Sequence, residues 1–165
     1  MTNSTEVFYD ILGMAANGLG GLENSLNDLF VKKAPFQLPK NIKDALVNFA
    51  PWLALIGGIM AILGALAIFG IGGLVAPLSL YGGAPLASSF FSAYFFSLAI
   101  LGVAGVLELM AFSGLKKRSV KGWRLLFYAQ LIWAVSELVH FNLVNFVLGT
   151  VIGLYFLFQV REYYK

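Results

Sequence analysis

The chain from Trp123 to Val160 reads WRLLFYAQLIWAVSELVHFNLVNFVLGTVIGLYFLFQV, a run of 38 residues whose only formal charges are Arg124 and Glu137. A helix needs about 20 apolar residues to cross the hydrocarbon core of a bilayer. The run therefore predicts two consecutive membrane spans joined by a very short turn. That turn would lie within Ser136–Asn145, where polar residues interrupt the apolar sequence and the chain carries its one histidine.

The composition of the whole chain is typical of a membrane protein. Of its 165 residues, 59% are hydrophobic and 12% are charged, and the mean hydropathy is +0.83. This composition provides too few polar residues to cover the surface of a water-soluble globular protein. The absence of cysteine excludes disulfides, cysteine-ligated zinc, iron–sulfur clusters and thiol catalysis.

Two further apolar segments, at about 52–75 and 89–112, precede this run. Together with segments at about 123–139 and 143–160, they predict an all-α fold, an integral membrane four-helix bundle over residues 50–165. Residues 70–88 are uncharged but contain several glycines and two prolines, so we expect a loop or a re-entrant turn there.

Glu108 is the one acidic residue of the second predicted span. The aromatic cluster that begins at Phe90 suits one membrane interface, and Glu108 follows Phe90 by about 27 Å along a helix. We therefore expect Glu108 close to the opposite interface rather than in the middle of the membrane.

Residues 1–49 form an N-terminal leader with ordinary charge density. Apolar residues at helical spacing predict an amphipathic helix over Val7–Leu12 and a second over Leu19–Phe30, followed by a proline-containing linker. A short helix over Asn41–Phe49 would end before Pro51, where the first span begins. We expect this leader to be cytoplasmic or interfacial. It either lies on the membrane surface or against the bundle, or serves as a docking helix for a partner protein.

The segment between the second and third spans carries five basic residues and no acidic one: Lys116, Lys117, Arg118, Lys121 and Arg124. Short basic loops remain in the cytoplasm, so the pattern predicts a multi-pass protein with both termini cytoplasmic. A basic cluster beside a membrane also binds anionic lipid headgroups. Nucleic-acid binding is not expected, because the loop is short and lacks a folded reading element.

Small residues recur at helical spacing on one face of the first span and of the fourth. They are Gly57, Ala61, Gly64 and Ala65 in the first, and Gly149 and Gly153, with Asn145 on the same face, in the fourth. Such faces let two helix backbones approach closely. We therefore expect helix packing at these positions, within the subunit or between subunits.

A second group of polar residues lies toward the end of the third span and in the turn after it. This polar notch consists of Gln130, Glu137, His140 and Asn142. Counted from Trp123, Gln130 would lie about 10 Å and Glu137 about 21 Å into the membrane. The group is either a hydrated outer turn capped by asparagines, a path for protons or solutes, or a partner-binding site. One histidine and separated carboxylates predict no metal site, and no nucleophile or nucleotide motif is present, so we expect no cofactor and no catalytic residue.

Three blocks carry a resemblance to a known group of proteins: NFAPWLAL at 48–55, KGWRLLFY at 121–128 and GLYFLFQVR at 153–161. They resemble small four-span bacterial membrane proteins over roughly residues 35–165. The resemblance implies four helices in a bacterial cytoplasmic membrane and brings no activity or site residues with it.

These patterns predict a non-enzymatic membrane scaffold or accessory subunit. Its expected partners are the lipid bilayer, including anionic lipids, and either further copies of itself or a larger membrane complex. The alternative is a small oligomeric transporter or channel that uses Gln130, Glu137 and His140 as a polar path.

Overall fold

The computed structural model describes residues 17–165, and every regular element in this part of the chain is helical. The prediction of an all-α fold is confirmed. The predicted helix over Val7–Leu12 lies outside the described residues.

Five helices follow one another in the described part of the chain. They are α1 at 17–27, extended by the π-helical turn Asp28–Lys32, then α2 at Lys40–Tyr81, α3 at Gly83–Lys116, α4 at Val120–Val139 and α5 at Leu143–Gln159. The middle of α5, Phe146–Val151, is π-helical, and a 3₁₀ turn at Arg161–Tyr163 follows it. Two of these helices, α2 and α3, are long and apolar enough to cross a membrane.

The predicted loop at 70–88 is wrong, because this segment is almost entirely helical. Helix α2 continues through Pro77 to Tyr81, and only Gly82 separates it from α3. An uncharged apolar segment satisfies its backbone hydrogen bonds within a helix, and that outweighs the weak helix preference of its glycines. The reversal uses Gly83 at φ 82°, a conformation that glycine adopts without strain.

The predicted break before Pro51 is also wrong. Helix α2 begins at Lys40, just after Pro39, and passes through Pro51, which is buried within it. Proline removes one backbone donor, but its fixed φ is compatible with a helix. The linker before Lys40 is non-helical, as the prolines predicted.

The α2–α3 hairpin is much longer than the α4–α5 hairpin. Helix α2 has 42 residues and α3 has 34, whereas α4 has 20. The α4–α5 turn reaches α3 at Phe96, whose ring centroid lies 5.9 Å from that of His140. The α3 segment from Gly83 to Phe96 therefore extends about 20 Å beyond that turn.

The small-residue face of α2 packs on α3 within the same chain. Ala61 is buried, and a Cβ added to Gly105 of α3 would lie 3.0 Å from the Ala61 Cβ. Gly64 faces Leu101, and Ala65 is half-buried. The expected close helix packing at this face thus occurs inside the subunit.

Helices α3 and α4 touch backbone to backbone near their connection. A Cβ added to Gly114 would lie 2.6 Å from the Cα of Gly122. The turn between these helices places Arg118 at φ 52°, and the Ser119 hydroxyl accepts a hydrogen bond from the Lys121 N–H at 3.2 Å. The pair of glycines therefore sets how closely α4 can approach α3.

An aromatic core lies beside this crossing. Trp123 is 0% exposed, and its ring centroid lies 5.1 Å from that of Phe158 and 5.6 Å from that of Phe127. Its indole N–H donates to the Leu157 carbonyl at 2.9 Å. The Trp123 side chain is therefore enclosed where α4 and α5 meet.

We expect Gly114→Ala to destabilise the protein by about 1–3 kcal/mol, because the new methyl group would push two helix backbones apart. Gly102→Ala is the matched control in the same helix, since a Cβ added there meets nothing within 4 Å. The free energies of unfolding in mild detergent measure the difference. Equal values for the two variants would contradict the proposed role of the crossing.

Candidate functional site

The described part of the leader packs against α4 and α5 through a buried carboxylate. Glu23 accepts a hydrogen bond from Arg124 Nε at 2.9 Å, and its other oxygen accepts from Arg161 Nε at 3.2 Å and from an Arg161 terminal nitrogen at 3.1 Å. The same Arg161 lies 4.8 Å above the Trp123 ring. Arg124, one of the predicted headgroup residues, is thus paired with the leader, although 48% of its side chain is exposed.

The linker after α1 is held by side chains of α5. Gln159 is buried, its amide nitrogen donates to the Phe30 carbonyl at 2.7 Å, and its amide oxygen accepts from the Leu38 N–H at 3.2 Å. The Tyr155 hydroxyl donates to the Phe36 carbonyl at 2.7 Å. Residues 17–39, the described start of the leader and its linker, therefore lie against the bundle.

We expect Glu23→Ala to lower the free energy of unfolding by about 1–3 kcal/mol and to speed tryptic cleavage at Lys32 and Lys33, because two arginines lose their shared acceptor. Asp28→Ala is the control on the same segment. It removes only the exposed Asp28–Lys32 ion pair, which solvent screens, and should leave the free energy of unfolding nearly unchanged. Similar cleavage rates for the two variants would show that Glu23 does not hold the leader.

The predicted headgroup cluster divides between two environments. Lys117 and Lys121 are exposed, and Lys116 lies 5.5 Å above the ring of Trp52. Arg118 instead lines a groove of about 560 Å³ together with residues from both ends of the described chain. The charged members of that groove are Lys40, Lys43, Arg118, Glu162 and Lys165.

The C-terminal tail closes one side of this groove by pairing with the α3–α4 turn. The Lys165 N–H donates to the Arg118 carbonyl at 2.9 Å, and the Val120 N–H donates to the Lys165 carbonyl at 3.2 Å. Between them, the Tyr164 side chain is buried, and its hydroxyl has no hydrogen-bond partner in the described part of the chain. This burial raises the pKa of Tyr164 to about 12.

We expect the free energy of unfolding to fall as the pH rises from 10 toward 12. An unfolded chain releases the Tyr164 proton near pH 10, its ordinary pKa, whereas the folded chain retains it to about pH 12. The stabilising contribution is therefore complete below pH 10 and is lost above it. Tyr164→Phe should flatten this part of the pH profile, whereas the exposed Tyr81→Phe should leave it unchanged, as unfolding titrations would measure.

The residues of the polar notch do not form one connected group. Gln130 donates to the Gly149 carbonyl at 3.2 Å, whereas His140 is exposed at the end of α4 with Nδ1 2.7 Å from the Ser136 carbonyl. No hydrogen bond or ion pair joins Glu137 to His140 within the described residues. Asn142 caps α5, accepting the Asn145 N–H at 3.2 Å.

The small-residue face of α5 is divided by the π-helical segment. Gly153 lies against the Gln130 side chain, but Gly149 and Asn145 are exposed, and a Cβ added to Gly149 meets nothing within 4 Å. Gln130 of α4 nevertheless contacts both glycines, since its amide nitrogen donates to the Gly149 carbonyl and its side chain lies against Gly153. Among the described residues, Gly153 is the one of these two glycines at which an added Cβ would meet a neighbouring side chain.

Glu108 has an environment that the sequence does not predict. Only 9% of it is exposed, and its Oε1 accepts a hydrogen bond from Trp133 Nε1 of α4 at 2.8 Å. Its Oε2 is buried, has no hydrogen-bond partner among residues 17–165, and lies beside Gly57 of α2. The carboxylate is therefore enclosed among helices, about 12 Å along α3 from Lys116, an environment that its distance from Phe90 does not reveal.

A cavity of about 250 Å³ adjoins this carboxylate. Apart from Glu108, its lining is apolar and comes from α2, α4 and α5 as well as from the start of the tail. Small residues, among them Ala54, Gly57 and Gly153, line it where larger side chains would fill the space. The arrangement combines an unpaired carboxylate oxygen with an apolar cavity, which is the chemistry of a binding site for a partly apolar ligand.

The sequence holds a partial signal for this site. Glu108 is the one charged residue between Asp44 and Lys116, and an ionisable group inside a membrane segment is by default a functional candidate. The distance from Phe90 gives only the position of Glu108 along α3 and carries no information on which helices cover it. Trp133 and Gly57 join the site only through tertiary packing.

Comparison of the chain with protein-family models, with curated proteins and with solved structures found no match.

Proposed function

We propose that the protein is a non-enzymatic scaffold or accessory subunit of the bacterial cytoplasmic membrane. In this proposal α2, α3, α4 and α5 each cross the bilayer, and both termini are cytoplasmic. The observation that supports this proposal is the long apolar α2–α3 hairpin. Its tip at Gly82 extends beyond α4 and α5, which cover only the half of the hairpin near Lys40 and Lys116. In the proposal, the hairpin tip packs against further membrane helices.

The distribution of charge supports this orientation. Helix α2 begins, α3 ends, α4 begins and α5 ends at the same end of the bundle, and the basic residues of the described chain lie there. The opposite end, at Gly82, has no charged residue between Asp44 and Glu108. Basic ends stay cytoplasmic, so the hairpin tip would face outward.

The length of the hairpin supports a packing role. From Trp52 to Tyr81, α2 rises about 44 Å, more than the roughly 30 Å of a bilayer hydrocarbon core. Near the tip, Leu74 is 79% exposed and Tyr81 is 90% exposed. Apolar surface that extends past the hydrocarbon gains free energy when another protein covers it.

A second copy of the chain is the partner that fits this surface. On α2, Gly70 and Gly73 leave open space where a Cβ would meet nothing within 4 Å, whereas on α3 Phe95 is 62% exposed. In a symmetric pair, aromatic side chains of one copy would fill the small-residue surface of the other. The absence of charge at the tip leaves shape as the basis of recognition.

The basic groove at the cytoplasmic end would bind anionic lipid headgroups. Lys40, Arg118 and Lys165 line it, and its one acidic residue, Glu162, is paired with Lys43 at 3.0 Å. A surplus of positive charge beside the membrane attracts anionic lipids. Binding of headgroups would hold the charged end of the bundle at the cytoplasmic membrane surface. Packing against other helices would still be the function of the hairpin.

Because the natural chain has no cysteine, single cysteines test the packing directly. We expect Leu78→Cys, near the tip, to form disulfide-linked dimers of twice 17.9 kDa on mild oxidation in native membranes. Ile56→Cys is the matched control, equally exposed on the lower half of α2, and should remain monomeric.

Two results would contradict the proposal. A lone monomer from Leu78→Cys, together with a monomeric native mass in mild detergent, would remove the packing role. A cross-linked product of another mass would replace the second copy with a different membrane protein.

A further inference from the structure

The cavity next to Glu108 has no part in the packing of the hairpin. It lies between α2 and α5, in the half of the bundle where α4 and α5 are present. We propose that this cavity binds a small apolar amine, whose ammonium group pairs with Oε2 of Glu108 while its apolar part occupies the cavity.

The first support is the unmet polar group. Trp133 donates a hydrogen bond to Oε1 of Glu108, but Oε2 is buried and no group of the described residues bonds to it. Buried polar atoms are almost always hydrogen-bonded, and a buried charge is normally paired. As a carboxylate oxygen this atom is an acceptor, so a cationic ligand that donates a hydrogen bond would satisfy it and pair with its charge.

The second support is the cavity beside that carboxyl group. A Cβ added to Gly57 would lie 2.8 Å from Oε2, so Oε2 packs against the Gly57 backbone and only glycine fits on this side of the carboxylate. Gly57 and Glu108 line the same cavity. The carboxyl group that carries the unpartnered oxygen is therefore part of the cavity wall.

The residues that line the cavity indicate the kind of ligand that would bind there. Glu108 is the one ionisable residue that lines the cavity, and the other lining residues are apolar, including Leu126 and Leu157. One negative charge in apolar surroundings is complementary to one positive charge on an apolar molecule. A volume of about 250 Å³ is below the roughly 300–1,000 Å³ of sites for drug-sized ligands, so the ligand is small.

The cavity is accessible from the side of the bundle. Extensive contacts join α2 with α3, α3 with α4 and α4 with α5, but not α2 with α5. Leu53 of α2 and Phe156 of α5 line the cavity and are exposed on its outer side. An apolar amine dissolved in the bilayer would enter between these two helices.

Hexylamine is a suitable probe, and 1-hexanol is its uncharged counterpart of similar size. The indole N–H of Trp133 reports on the site, because it donates to Glu108. In the full chain, labelled with nitrogen-15 and placed in lipid nanodiscs, we expect hexylamine to shift this NMR signal saturably. We expect 1-hexanol to leave it unshifted.

Two variants and one control sharpen the test. Glu108→Gln retains an acceptor for Trp133 but loses the charge, and should weaken hexylamine binding at least tenfold, about 1.4 kcal/mol. Gly57→Ala closes the space and should weaken it similarly. Glu137→Gln, which removes the carboxylate of α4, is the control and should bind hexylamine with the affinity of the unsubstituted protein.

The comparison of amine with alcohol needs no variant, so it stands even if a variant fails to fold. Equal shifts with hexylamine and 1-hexanol would overturn the proposal. So would the absence of any saturable shift, or unchanged hexylamine affinity in a folded Glu108→Gln protein.

Discussion

The backbone contact between Gly114 and Gly122 is the constraint on which the rest of the bundle depends. Because neither residue has a side chain, the backbones of α3 and α4 come into direct contact here. This approach buries Trp123 beside the crossing and brings Trp133, farther along α4, within hydrogen-bond distance of Glu108. A larger residue at either glycine would move α4 away from α3 and separate this pair.

The charged end of the protein is organised around this crossing. The leader is held by Glu23 between Arg124 and Arg161, and the C-terminal tail pairs with the turn that follows Gly114. These contacts are polar and partly buried, where ion pairs gain more than on an open surface. The result is a compact, basic end and an uncharged, extended opposite end, a polarity that suits an oriented membrane protein.

Two kinds of unsatisfied surface remain, and they have different chemistry. The exposed tip of α2 and α3 is apolar and uncharged, so another apolar surface is its natural complement. Glu108 is a single polar group in an apolar cavity, so a small cation with an apolar body complements it. The residues of the polar notch fall in neither class, since Gln130, His140 and Asn142 each bond to the nearby backbone.

Composition and periodicity alone determined that the chain is helical, that it has long apolar segments and that its basic residues gather in a few places. Those properties depend on the local sequence. Only the tertiary structure decided that residues 70–88 continue two helices, because their glycines and prolines weaken a helix while the apolar surroundings favour one. It also decided that Glu108 is enclosed, since Gly57 and Trp133 are distant in sequence and meet it only when α2 and α4 pack on α3. Burial is a property of neighbouring helices, and the order of residues along one helix does not contain it.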